Sequence, residues 1–117
     1  MSEITRIGSG PRMSEAVIHG DKIYTAGLVA NKTRGQSVLE QTTEILEMID
    51  ALLAKAGSDK TRILKANIWL TDISTFAQMN QAWDAWVVAG QTPARATVES
   101  KLAAPGYEVE IMVEAAR

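Results

Sequence analysis

Two stretches near the C-terminus alternate in polarity at every residue, and this period constrains the fold more than any other feature. In residues 94–100 small and aliphatic side chains occupy every second position, and in residues 107–114 aromatic and aliphatic side chains alternate mostly with glutamates. A period of two indicates a β-strand with one buried face. The alternation therefore predicts two strands joined by a loop, with Arg95 and Glu110 opposite the small and aliphatic residues. A strand arginine with a carboxylate on a neighbouring strand is the strongest chemical lead in the sequence.

Four further stretches upstream have the composition of β-strands. Residues 4–7 form a short candidate edge strand, and residues 15–19 and 22–26 flank a Gly-Asp turn. Two β-type runs separated by a two-residue turn of this kind predict a hairpin. Residues 63–71 alternate again and predict another strand.

Two stretches instead carry apolar side chains at helical spacing. A helix is predicted over residues 38–56, because its apolar stripe lies between a Ser37–Glu40 capping box and Gly57 as the stop. A second helix is predicted over residues 75–89. Its stripe is apolar except for one polar residue and consists of Phe76, Met79, Asn80, Trp83, Trp86 and Val87.

The predicted element order is β-β-β-α-β-α-β-β, which is typical of the α+β class: one mixed β-sheet with two helices packed on one face. A length of 117 residues fits a single domain over residues 1–117. Two helices cover only one face of a sheet, so the other face lies open or meets further subunits. That second face is predicted to carry Arg95, Thr97, Glu99, Glu108 and Glu110, and to include Trp69.

Composition excludes several classes of chemistry. The chain has no cysteine and one histidine, His19, which excludes disulfides, a cysteine nucleophile and a metal motif built on two histidines. The formal net charge is −2 and no run concentrates lysine and arginine, which argues against a nucleic-acid surface. No apolar run reaches the ~20 residues of a membrane span, and the N-terminus has no secretory pattern, so a cytoplasmic protein is expected.

Four segments, taken together, carry a family resemblance. They are Thr-Ala-Gly at residues 25–27, Phe-Ala-Gln-Met-Asn at 76–80, Thr-Pro-Ala-Arg-Ala-Thr-Val at 92–98 and Val-Glu-Ile at 109–111. On these segments, which follow one another along nearly the whole chain, the sequence resembles the reactive-intermediate deaminases, also called Rid or YjgF proteins. The run from Trp83 to Gly90 is most similar to the small bacterial branch typified by YoaB.

The resemblance implies a chorismate-mutase-like fold and a homotrimer with three sites between subunits. It also implies hydrolysis of 2-imino or 2-enamino acids to 2-oxo acids and ammonia, a reaction that needs neither a metal nor an organic cofactor. In the family a strand arginine binds the substrate carboxylate, and a glutamate in the Val-Glu-Ile segment positions or activates water. Arg95 and Glu110 occupy these two positions.

The resemblance extends to five more pocket positions, and three of them depart from the best-studied branch. Gly27 and Asn80 match positions that line the pocket. Met13 stands where that branch has a tyrosine, Ala26 where it has a serine, and Thr97 where it often has a cysteine. Methionine and alanine remove two polar groups, so a less polar pocket is expected beside an intact carboxylate anchor.

The residues by themselves leave other roles open. Arg95 could form a salt bridge across the sheet to Glu99, Glu108 or Glu110, and Asn80 could satisfy buried backbone groups. The nearby Trp83 could belong to the core or line the site.

Two other function classes stand beside hydrolysis. A trimer that binds a small carboxylate metabolite and regulates a partner would keep the arginine but show no turnover. A ribonuclease or translation-linked role is the third hypothesis, and the balance of charge disfavours it, because RNA binding depends on clustered positive charge.

Overall fold

A computed structural model of the chain describes residues 3–117, which form one seven-stranded sheet and two α-helices. The strands are β1 (Ile4–Ile7), β2 (Ala16–His19), β3 (Lys22–Thr25), β4 (Leu28–Val29), β5 (Ile63–Leu70), β6 (Ala94–Glu99) and β7 (Val109–Ala116). The helices are α1 (Val38–Lys55) and α2 (Phe76–Trp86). The α+β class and the predicted element order are confirmed, with the two-residue strand β4 as an addition.

The sheet is mixed, and β7 lies at its centre. The strand order is β1-β2-β3-β7-β5-β6, and the short β4 also pairs with β7. Only β5 and β6 run parallel, because α2 forms the crossover between them; the other pairs are antiparallel. The expectation that the strands carrying Arg95 and Glu110 are neighbours is therefore wrong, since β5 separates β6 from β7.

The two helices cover one face of this sheet and enclose the core. Along β7, Val109, Ile111, Val113 and Ala115 are buried, while Glu110 and the other alternate residues are half-buried on the opposite face. The helices contribute the facing layer of large, fully buried side chains, among them Ile45, Leu46, Ile49, Leu53 and Met79. The hydrophobic effect of this single layer holds the helices on the sheet.

The predicted helix caps are present, and the second helix is shorter than predicted. Ser37 Oγ accepts a hydrogen bond from the Glu40 backbone N–H at 3.1 Å, and Gly57 follows α1 with a φ of +81°. The end of α2 at Trp86, three residues earlier than predicted, coincides with two β-branched valines, of which Val87 is already extended. The apolar stripes of the sequence therefore predict both helices correctly but predict too late an end for α2.

The structure reverses the predicted orientation of β6. Arg95 pairs with Ala66 and Thr97 pairs with Ile68, and both β5 residues are buried beneath the helices. Laterally paired residues point to the same side of a sheet, so Arg95 and Thr97 face the helix layer. The prediction that they share a face with Glu110 is wrong, because alternation shows that a strand has two different faces but not which one is covered.

The other side of the sheet, which the helices leave uncovered, is called the open face below. Its central and outer part is mixed: the apolar and aromatic residues are Tyr24, Trp69, Ala94, Ala96, Val98 and Met112, and the polar ones are Lys65, Asn67, Glu110 and Glu114. Tyr24 is 43% exposed and Val98 is 50% exposed. Exposed apolar side chains on an uncovered sheet face are candidates for contact with another chain.

Candidate functional site

Arg95 is held against α2 by four residues on one side of that helix. Its Nη1 donates a hydrogen bond to Asn80 Oδ1 at 2.7 Å and lies 3.9 Å from Met79 Sδ. Its Cζ lies 5.2 Å from the ring centroid of Trp83 and 5.6 Å from that of Phe76. The four helix residues have the spacing i, i+3, i+4 and i+7, which aligns them on one side. Together with Arg95 and Thr97 we call them the arginine half-site.

The guanidinium is only partly engaged by the chain itself. Both of its hydrogen bonds to side chains among residues 3–117 come from Nη1, so Nε and Nη2 remain for another acceptor. The carboxylates considered as partners lie elsewhere: Glu99 and Glu108 accept hydrogen bonds from other groups, and Glu110 is on the opposite face of the sheet. A planar fork with two free donors on one edge matches the geometry of a carboxylate.

Thr97 adds a polar atom to the same side of β6, two residues beyond Arg95. Its Oγ1 is buried and has no hydrogen-bond partner among residues 3–117. A buried hydroxyl without a partner costs roughly 1–3 kcal/mol. The position therefore suits a hydroxyl that a bound molecule would satisfy.

Glu110 forms a second cluster on the open face. It lies opposite Val29 on one side and Trp69 on the other, and burial raises the pKa of its carboxyl. Gly27 lies directly against it: a Cβ added at Gly27 would be 2.0 Å from Glu110 Oε2. Only glycine gives the carboxylate this space, and we call Glu110 and Gly27 the glutamate half-site.

Gly27 reaches this position through a β-bulge that the sequence did not reveal. Tyr24 lies opposite Glu114 and Leu28 lies opposite Ile111, so four residue steps from β3 to β4 match three steps along β7. The extra residue lies between β3 and β4 and interrupts their pairing with β7. Bulges re-aim nearby groups and are over-represented beside active sites.

The bulge is fixed by hydrogen bonds that also locate Ala26. Thr25 Oγ1 accepts from the Val113 N–H at 3.0 Å and donates to the Ala26 carbonyl at 2.9 Å. The Ala26 N–H donates to the Glu15 carbonyl at 2.8 Å. Ala26 is therefore half-buried beside the glutamate half-site, with its polar backbone groups satisfied.

Met13 lies apart from both half-sites within one chain. It is 57% exposed and lines a surface cavity of about 380 Å³ with three residues of its own loop, Gly10, Pro11 and Arg12. The structure thus brings Asn80 and Thr97 to Arg95, and Gly27 and Ala26 to the region of Glu110. It leaves Met13 at the surface.

The two half-sites do not meet in a single chain. Arg95 is level with Val113 of β7, three residues from Glu110, and β5 lies between the two strands. Three residues span about 10 Å along a strand, and two strand spacings add about 9–10 Å across the sheet. The two side chains also point to opposite faces, so they cannot contact one small molecule within one chain.

The sequence profile of the Endoribonuclease L-PSP family matches residues 3–117. The chain is 51% identical over 110 residues to a RutC family protein of Haemophilus influenzae, covering 94% of this chain and 95% of the relative. It is 48% identical over 113 residues to the RutC family protein YoaB of Escherichia coli, covering 97% of both. The chain belongs to this family.

A solved structure supports the same assignment at the level of the fold. The crystal structure of a YjgF-family member from Neisseria meningitidis matches with a TM-score of 0.95 and 45% identity, covering 98% of this chain and 95% of the other. The family and the fold that the sequence motifs implied are therefore confirmed.

Residues 3–117 contain neither a membrane-spanning helix nor a cluster of metal-binding side chains. No α-helix in this range has the length and apolarity needed to cross a membrane. The same residues hold no group of three or more histidine, cysteine, aspartate or glutamate side chains arranged to bind a metal ion.

Proposed function

We propose that this protein is an enamine/imine deaminase, which hydrolyses 2-imino or 2-enamino acids to 2-oxo acids and ammonia in the cytoplasm. The observation that carries the proposal is the half-engaged guanidinium of Arg95, whose Nε and Nη2 make no hydrogen bond to residues 3–117. A 2-imino acid presents a carboxylate next to its reactive carbon. An arginine fork that binds this carboxylate also fixes the position of the C=N group.

The reaction also needs a group that manages protons, and Glu110 has suitable properties. Burial raises the pKa of its carboxyl, which brings it closer to neutral pH, where a general acid or base is most effective. In our proposal Glu110 takes a proton from water as the oxygen attacks the protonated C=N carbon. It then returns that proton to the nitrogen, and as the C–N bond breaks it takes the remaining hydroxyl proton, so that ammonia and the 2-oxo acid leave and this last proton passes to ammonia or to solvent.

Because the half-sites lie on opposite faces, we propose that the site forms between chains of a homotrimer. The arginine half-site of one chain would meet the glutamate half-site of its neighbour, whose open face carries Glu110. The geometry of the sheet supports this reading, because Arg95 and Glu110 lie on opposite faces with β5 between their strands. A substrate cavity containing both groups therefore needs a second chain.

The remaining proposed substrate-binding residues favour larger apolar substrates. Thr97 offers its unsatisfied hydroxyl and Gly27 allows close approach, whereas Ala26 and Met13 present no strong polar group. In the assembled trimer we place Met13 at the pocket rim, contributed from its exposed loop. A methionine is flexible and adapts to apolar groups of different shape.

The alternatives receive less support. A regulatory trimer that only binds carboxylates would use the same Arg95 fork, and it is distinguished from an enzyme by the lack of turnover. The family profile is named after an endoribonuclease, but the formal net charge of −2 and the one cation and one carboxylate of the two half-sites do not resemble a surface that binds RNA phosphates.

The test is to generate 2-iminopropanoate and longer imino acids in situ and to measure the release of ammonia and 2-oxo acid with and without the protein. We expect acceleration by wild type and its loss in Arg95→Ala. Arg62→Ala, which removes an exposed arginine of a separate segment, serves as the matched control and should behave as wild type. Equal rates of ammonia and 2-oxo acid release with and without wild-type protein would exclude the deaminase and favour the alternative in which the protein only binds carboxylates.

A further inference from the structure

Asn80 is the single polar residue in the stripe of α2, and the structure gives it one specific contact. The stripe residues Phe76, Met79 and Trp83 surround the Arg95 guanidinium with two rings and a sulfur atom. None of these groups accepts a strong hydrogen bond. Asn80 Oδ1 does so at 2.7 Å, so it is the contact that can select one orientation of the guanidinium plane.

This orientation decides which donors face outward. A guanidinium can present a carboxylate with either of two edges, Nη1–Nη2 or Nε–Nη2. The bond from Nη1 to Asn80 leaves the Nε–Nη2 edge as the one with both nitrogens unengaged by other residues of 3–117. A free arginine side chain loses rotamer entropy when it is fixed, and a residue that fixes it beforehand removes that cost from binding.

We propose that Asn80 is a positioning residue that acts on the ligand through Arg95, by holding the Nε–Nη2 edge toward the ligand carboxylate. The inference rests on the proposed function, because it assumes a carboxylate ligand at Arg95. It differs from a direct role in which Asn80 binds the imine or oxo group itself.

The choice of asparagine follows from charge. An aspartate at this position would also accept from Nη1, but its carboxylate would compensate the charge of Arg95 and repel the carboxylate of the ligand. Asparagine supplies the acceptor and leaves the positive charge for the ligand. Asn80→Asp is therefore expected to hold Arg95 in place and yet bind carboxylates more weakly than Asn80→Ala does.

The experiment measures binding of three unreactive carboxylates, propanoate, butanoate and 2-oxobutanoate, by chemical-shift titration of the intact oligomer. Wild type, Arg95→Ala, Asn80→Ala, Asn80→Asp and the double variant Arg95→Ala/Asn80→Ala are compared. Gln81→Ala is the matched control, since Gln81 is the next residue of α2 and is exposed. Melting temperatures show that each variant is folded, and the nearly isosteric Asn80→Asp is available if Asn80→Ala is not.

We expect Asn80→Ala to weaken all three ligands by the same factor, about 5- to 30-fold, because the guanidinium must then lose its rotamer freedom when the ligand binds. In the Arg95→Ala background the same change should alter binding less than about 2-fold, because residues that act through one another are not additive. Gln81→Ala should bind as wild type does.

Three results would overturn the positioning role: wild-type affinity in Asn80→Ala, a loss confined to 2-oxobutanoate, or a further loss in the Arg95→Ala background. The first excludes any role, and the other two indicate direct contact between Asn80 and the ligand. Wild-type affinity in Arg95→Ala, or no binding to wild type, would instead remove the proposed function and the positioning role with it.

Discussion

At the scale of single residues, Arg95 combines a packing role with the binding role that we propose for it. Its guanidinium contacts α2 from β6, and its Nε–Nη2 edge makes no hydrogen bond to residues 3–117. Removing a buried charge-pair partner costs about 2–5 kcal/mol, so Arg95→Ala should lower kcat/KM by roughly 30- to 5,000-fold. Arg95→Lys should recover only part of this, because an ammonium lacks the planar two-pronged edge.

The same contacts lead to a second prediction for Arg95, which concerns thermal stability. Since the guanidinium packs between the Phe76 and Trp83 rings, Arg95→Ala should also lower the melting temperature modestly, whereas the exposed Arg62→Ala should not. Imine hydrolysis and thermal melting measured on the same variants separate the two effects. Wild-type turnover in Arg95→Ala would contradict the assignment of Arg95 as the anchor.

Glu110 ties stability to pH, because burial raises the pKa of its carboxyl. Between the ordinary pKa of glutamate, about 4.3, and the raised value, the folded state binds more protons than the unfolded state. The free energy of unfolding contributed by this group therefore falls as pH rises through that window. In melting curves from about pH 4 to about pH 8, the melting temperature of Glu110→Gln should increase relative to that of wild type as pH rises.

The exposed Glu47→Gln serves as the control for that pH series and should follow wild type throughout. If the Glu110→Gln and wild-type curves stay parallel across the window, Glu110 is not the group responsible. In activity, Glu110→Gln should mainly lower kcat while carboxylate binding persists, because the variant keeps the shape of the side chain and loses its basicity.

At the scale of elements, the β-bulge between β3 and β4 is the part of the fold that shapes the glutamate half-site. Gly27→Ala would place a Cβ 2.0 Å from Glu110 Oε2. The clash falls on the end of a flexible side chain, so the carboxylate should move aside and the fold should persist. We expect a lower kcat with little change in melting temperature.

A double variant tests whether Gly27→Ala lowers kcat by displacing the Glu110 carboxylate. In a Glu110→Gln background, Gly27→Ala should lower kcat by less than it does in wild type, because the group it displaces has already lost its function. Full additivity of the two losses would show that Gly27 acts on some other part of the site.

The elements also show how far the sequence predicts this fold. The capping box at Ser37 and the glycine stop defined α1 almost to the residue, because caps are local signals. The faces of β6 could not be predicted, because Ala94, Ala96 and Val98 look like core residues although they lie on the open face. The bulge at Gly27 was missed for a similar reason, since register depends on the pairing with β7.

For the candidate site, the motifs located the important residues but not their arrangement. The polar exception at Asn80 in an apolar stripe was visible in the sequence, and only the structure shows that its oxygen faces Arg95. Which strand separates Arg95 from Glu110 is a property of sheet order. Sheet order is fixed by long-range packing rather than by local pattern.

At the scale of the whole molecule, the open face is the surface on which the proposed assembly would depend. Val98 is 50% exposed and lies in the same lateral row as Trp69 and Glu110. If this face is buried between chains, Val98→Glu should reduce the trimer to smaller species in light scattering at micromolar concentration, because an unpaired charge is costly to bury. A wild-type monomer under these conditions would contradict the assembly.

The central claim is that each site takes Arg95 from one chain and Glu110 from another, and mixed trimers test it most directly. Arg95→Ala and Glu110→Gln chains, each inactive alone, are unfolded together, refolded and assayed for imine hydrolysis. With random assembly about one quarter of the sites between chains would receive both wild-type residues, so about one quarter of wild-type activity should return. A mixture no more active than the two variants assayed separately, in trimers shown to contain both chains, would contradict the shared site.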